Sequence, residues 1–140
     1  LISNRSGGRS FVRTSRRQVA VIRGAARGQG RAHAVAIAKA GADIVALDIC
    51  GDVPSNPYPL ATPDDLSDTE RSVKELGRRV VARIADVRER HELRDTVEAA
   101  LADLGRIDVV VANAGILPMA MGNPDPCISS TPPTSTWSAR

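Results

Sequence analysis

Twelve residues, Val19 to Gly30 (VAVIRGAARGQG), constrain this chain more than any other stretch. Val19-Ala20-Val21-Ile22 has the unbroken apolar pattern of a short buried strand. A turn with Gly24, Gly28 and Gly30 follows and runs directly into Arg31 to Ala40, which reads as a helix. A strand that turns on glycines into a helix start leaves backbone N–H groups unpaired at the positive end of a helix dipole, a ready seat for a pyrophosphate. Glycine permits positive φ and a close approach of main chain to ligand. The spacing is G-x-x-x-G-x-G, a relative of the dinucleotide fingerprint and not its G-x-G-x-x-G form.

The rest of the pattern repeats the strand-then-helix order. Gly41 stops the first helix, and Ala42 to Asp48 is a second buried strand ending in an acid. Residues 49–61 form a loop rich in Pro, Gly and Asp. Thr62-Pro63-Asp64-Asp65 then signals a helix start: a hydroxyl cap, Pro at the first position, acids at the positive end. That helix carries Leu66, Val73 and Leu76 towards a core and ends at Gly77. Arg79 to Ala85 is a third strand, closed by Asp86. Arg88 to Leu104 is an amphipathic helix with Leu93, Val97, Leu101 and Leu104 on one face, and Gly105 stops it. Ile107 to Ala112 is a fourth strand leading into Asn113-Ala114-Gly115. This alternation calls for an α/β fold, a partial Rossmann sheet of four parallel strands in the order 3-2-1-4.

Two segments differ from this pattern. Residues 1–18 hold five arginines and no acid, and the expectation is a disordered basic arm; targeting-segment and mis-set-start origins are the alternatives. Residues 117–140 hold five prolines and seven Ser or Thr without periodicity, and the expectation is a disordered tail. The domain between them is 19–116. It balances thirteen basic against fifteen acidic groups, so the net charge of +3 belongs to the arm. No nucleic-acid partner is expected from the globular part. No apolar run approaches the ~18 residues of a membrane span, so no membrane partner is expected either. Cys50 and Cys127 show no metal spacing, which leaves free thiols in a reducing cytoplasm as the expectation and no metal site.

Asp48 stands eighteen residues after Gly30 at the end of the second strand. A carboxylate there can accept both ribose hydroxyls of an adenosine and repels a 2′-phosphate, which favours NAD over NADP. Asp86-Val87 and Asn113-Ala114-Gly115 fall at the carboxyl ends of the third and fourth strands, the edge where ligands bind in open α/β sheets.

Four motifs in this order and spacing, Gly24/Gly28/Gly30, Asp48, Asp86-Val87 and Asn113-Ala114-Gly115, resemble the short-chain dehydrogenase/reductase family over residues 19–116. Finer detail is similar to the mycofactocin-associated, carveol-dehydrogenase-like branch. It lies in Gly24-Ala25-Ala26-Arg27-Gly28-Gln29-Gly30-Arg31, Asp48-Ile49-Cys50 and Pro57-Tyr58-Pro59-Leu60-Ala61-Thr62-Pro63. The resemblance implies NAD(H), hydride transfer to or from an alcohol or ketone, and commonly a tetramer. It implies cofactor contacts from Gly24, Ala26, Arg27, Gly28, Gln29, Gly30, Asp48, Ile49, Asp86, Val87, Asn113, Ala114 and Gly115. In this branch residues 50–63 correspond to a loop that helps enclose the NAD.

The chain departs from the family in two places. Arg23 occupies the position before Gly24 where the family usually has Thr, and a long cation at a packed strand end is expected to strain the turn. The family's catalytic Ser, Tyr-x-x-x-Lys and helix Asn have no counterpart: Tyr58 is followed four residues on by Thr62, and no Ser has a Tyr or Lys to act with it. Hydride transfer of this type needs a proton donor whose pKa a nearby Lys lowers. His33 and His91 are expected at the surface or in packing. The expectation is the NAD-binding portion of an oxidoreductase that does not turn over as written, an alcohol or ketone being a partner only with the missing half. The alternatives are a non-catalytic interaction module or a truncated, frame-shifted product. Val109-Val110-Val111 should form an exposed apolar edge through which a homo-oligomer could assemble.

Overall fold

The computed structural model describes residues 18–117. The expected arm and tail lie outside the described residues, apart from Gln18 and Leu117. Four strands, β1 (Val19–Arg23), β2 (Asp43–Asp48), β3 (Val80–Ile84) and β4 (Val109–Val111), alternate with three helices, α1 (Gly28–Lys39), α2 (Pro63–Glu75) and α3 (Arg90–Leu104). All pairings are parallel and the strand order is β3-β2-β1-β4, as the alternation requires. Val21 sits beside Val45 on one side and Val110 on the other.

The strands are apolar on both faces because helices cover both. Ala20, Ile22, Ile44 and Ala46 pack against Ala34 and Ala38 of α1 and Leu66 and Val73 of α2. The opposite face, with Val19, Val21, Val45, Leu47 and Val81, packs against Ala100 and Leu104 of α3. Alanine at the helix contacts lets α1 and α3 lie close to the sheet. Both end carboxylates of β2, Asp43 and Asp48, are buried and engaged.

Several boundaries and two faces differ from the sequence expectation, three of the boundaries by more than one residue. Helix α1 starts at Gly28 instead of Arg31, so the last two glycines of the motif form its first turn. Strand β4 is only three residues long, and α3 begins at Arg90 instead of Arg88. In α2 the buried face is Leu66, Thr69 and Val73, while Leu76 lies beyond the helix end at its C-cap and is exposed. In α3 the buried residues are Thr96, Ala100 and Leu104, whereas Val97 and Leu101 are 39% and 44% exposed. Leu104 and the partly buried Leu93 pack against the sheet as expected, but the middle of the stripe is displaced by one residue, from Val97 and Leu101 to Thr96 and Ala100, about 100° of helix rotation, because small side chains allow the closer approach. The start of α2 is as expected: Thr62 Oγ1 accepts from the Asp65 N–H and the Asp65 carboxylate accepts from the Thr62 N–H, with Pro63 in the first turn. No helix among the described residues is long and apolar enough to cross a membrane.

Candidate functional site

The carboxyl ends of all four strands converge on one edge, and a cavity of about 450 Å³ opens there. Its floor is built by the glycine turn. The N–H groups of Gly24 and Ala25 both donate to the Leu47 carbonyl, at 2.8 and 3.1 Å, which bends the chain away from the sheet. Gly24 takes φ +69°, and a Cβ there would come within 2.9 Å of the Ala114 Cα. The Asn113 amide donates to the carbonyls of Arg23 and Gly24, at 3.1 and 3.2 Å, and so ties the end of β4 to the turn. The turn delivers the chain to the start of α1, whose first turn carries no acid and no side-chain cap.

Asp48 closes the second side. Its Oδ2 accepts from the Ala26 N–H at 3.0 Å and its Oδ1 from the Cys50 N–H at 3.3 Å, so both oxygens are aimed by main chain. Cys50 makes this possible by adopting φ +46°, the one positive-φ residue other than glycine among those described. Burial, with the charges of Asp48 and Asp65 nearby, pushes its thiol up to about 11, so it stays protonated and unreactive.

Of the thirteen residues expected to contact cofactor, eleven line the cavity: Gly24, Arg27, Gly28, Gln29, Asp48, Ile49, Asp86, Val87, Asn113, Ala114 and Gly115. Ala26 and Gly30 stand behind it, both buried, the first bonded to Asp48 and the second packed under Gly24. The Asp86 carboxylate is held low by hydrogen bonds from the Arg88 guanidinium and N–H. Arg88 lines the cavity too, and only its proximity to Asp86 in sequence could have marked it.

The loop after Asp48 supplies the outer wall through Val53, Tyr58, Leu60 and Ala61. Three contacts set its path: the Arg27 guanidinium donates to the Pro59 carbonyl at 2.8 Å, the Leu60 N–H to Asp52 at 2.9 Å, and the Leu117 N–H to the Tyr58 hydroxyl at 3.2 Å. The last of these joins the loop to the segment after β4, beside the cavity-lining Ile116. Tyr58 therefore belongs to the enclosure. Arg23 does not line the cavity. It continues the β1 pairing beside Leu47, and its Nε is buried with no hydrogen-bond partner. His33 and His91 are exposed and away from the cavity.

A family model described as short chain dehydrogenase matches residues 18–131. The (-)-trans-carveol dehydrogenase of Rhodococcus erythropolis is 45% identical over 120 residues, covering 86% of this chain and 41% of that protein. The crystal structure of carveol dehydrogenase from Mycobacterium avium in complex with NAD superposes with a TM-score of 0.72 at 50% identity, over 74% of this chain and 37% of that one. A short chain dehydrogenase from Mycobacterium paratuberculosis bound to NAD gives 0.73 at 52% identity, over 75% and 39%. The chain thus spans about two fifths of the length of the curated relatives it matches.

Proposed function

The chain belongs to the short-chain dehydrogenase family, and on that premise we propose that it is the NAD(H)-binding portion of an NAD-dependent oxidoreductase. The observation that carries this is the Asp48 carboxylate at the cavity wall, fixed from both sides by main-chain N–H groups. Each of its oxygens keeps a free lone pair, which suits the two hydroxyls of an adenosine ribose and repels a 2′-phosphate. The unpaired amides at the start of α1 suit the pyrophosphate, and Gly28, with open space where a Cβ would stand, leaves room for it. Arg27, Gln29, Ile49, Asp86, Val87, Asn113, Ala114 and Gly115 complete the wall, while Ala26 and Gly30 support it from behind. NAD, when bound, supplies the hydride acceptor; these residues bind and orient it and exclude water.

The substrate class of the whole protein is an alcohol or ketone, as the names of the relatives suggest. These 140 residues contain no Tyr-x-x-x-Lys, so the portion binds NAD without transferring hydride by itself. Calorimetric titration of the full chain with NAD tests the proposal: saturable heat is expected, and Asp48→Ala should abolish most of it. Absence of heat with folded protein would sink it. A second function, an interaction module or homo-oligomer joined through β4, is favoured by the exposure of Val109 and Val110 on an edge strand.

A further inference from the structure

Arg31 lies behind the cavity wall, yet its side chain holds the residue that aims Asp48. From the first turn of α1, its Nε and Nη2 both donate to the Ala26 carbonyl, at 2.9 and 2.6 Å. Nη2 also donates to the Asp65 carbonyl at 2.7 Å, and Nε to the Thr69 hydroxyl at 3.0 Å. Ala26 and Thr69 are fully buried, so water has poor access to these groups. The Thr69 hydroxyl lies within reach of the carbonyls of Ala25, Ala26 and Asp65 but has a single proton to give. Without Arg31, two buried carbonyls compete for that proton and one is left unpaired. Ala26 is thus clamped at both ends, its carbonyl by Arg31 and its N–H by Asp48.

We infer that Arg31 is a positioning residue for the dinucleotide site, setting the place of the Asp48 carboxylate through Ala26 and thereby the preference for a ribose 2′-hydroxyl over a 2′-phosphate. The inference rests on the proposed NAD function. A lysine cannot replace Arg31, because only the planar guanidinium reaches the Ala26, Asp65 and Thr69 oxygens at once. The same contacts join α1 to the start of α2, where Leu60 and Ala61 of the cavity wall end.

The test is titration of the full-length chain, and of its Arg31→Gln and Arg31→Lys variants, with NAD and with NADP. The wild type is expected to prefer NAD. Each variant should lose about tenfold in NAD affinity, the scale of one charged hydrogen bond, and its preference over NADP should shrink with it. In an Asp48→Asn background, Arg31→Gln should leave the preference unchanged, since the two residues act in series. A residue that served folding alone would reduce the fraction of binding-competent chain but leave the affinity ratio of that fraction untouched. That result, or collapse of both variants, would overturn the inference while the NAD function stands. Failure of the wild-type chain to bind NAD would overturn both.

Discussion

Gly30 packs directly on Gly24. A Cβ built on Gly30 would overlap the Gly24 carbonyl oxygen and lie 2.7 Å from the carbonyl carbon, with the Asn113 amide nitrogen at 2.9 Å. The first turn of α1 and the end of β1 therefore touch main chain to main chain, and Asn113 closes over both.

The three motif glycines consequently differ in what they tolerate. Gly28 has φ +56° with nothing within 4 Å of a Cβ, so Gly28→Ala carries only the left-handed backbone penalty of about 1 kcal/mol. Gly30→Ala has no space at all, and its nearest neighbours are main chain and a tethered amide. Urea unfolding should show a small loss for Gly28→Ala and a loss several times larger, or no folded protein, for Gly30→Ala. Equal losses would contradict the packing described.

How much of this was open to reading in the sequence follows from range. Strands showed as apolar runs because helices cover both faces, and Thr62-Pro63-Asp64-Asp65 marked α2 because capping is local. Asp48 was legible by its place at a strand end. The start of α1 was not, since glycine reads as turn even where a helix needs it for close contact. The buried face of α3 was partly hidden: Leu93 and Leu104 pack against the sheet as the apolar stripe implies, but between them Thr96 and Ala100 meet it in place of Val97 and Leu101. Arg31 was invisible as a positioning group because its partners, Asp65 and Thr69, are set by tertiary packing more than thirty residues away.

Acid stability should depend on Asp43. Burial raises its pKa, but hydrogen bonds from Arg79 and the charges of Arg78 and Arg79 outweigh this and hold it below the ordinary 3.8. A carboxyl whose folded pKa lies below its unfolded value contributes stability fully above the unfolded value and loses it as pH falls through the folded one. The wild type should therefore be insensitive to pH from 7 to about 5 on this account and weaken below about 4. Asp43→Asn should be less stable at neutral pH and show a shallower decline in acid. Thermal melts between pH 3 and 7 measure both, and parallel curves would contradict the assignment.

Arg23 should be replaceable with gain. Its Nε is buried without a partner, and an unsatisfied donor of this kind costs about 1–3 kcal/mol. Arg23→Thr removes the orphan, and a threonine suits a strand end. For a domain of this size each kcal/mol corresponds to roughly 4–8 °C in melting temperature, so a rise of several degrees is expected. Since Arg23 does not line the cavity, NAD affinity should change little. A lower melting temperature would mean that the guanidinium contributes packing that outweighs the unpaired nitrogen.

The open flank of the sheet should govern association. β4 is an edge strand, with Val109 41% and Val110 61% exposed, and Ile116 and Leu117 are exposed just beyond it. An apolar edge with unpaired main-chain groups invites pairing with another chain, and a lysine on the edge strand opposes it by placing charge where the partner strand would lie. Val110→Lys should therefore shift the chain towards monomer and raise its solubility, while NAD binding persists because Val110 is absent from the cavity wall. Sedimentation of wild type and variant across a concentration series makes the comparison. Identical distributions that associate equally would place the contact elsewhere, with the exposed Val97 and Leu101 of α3 the next surface to charge.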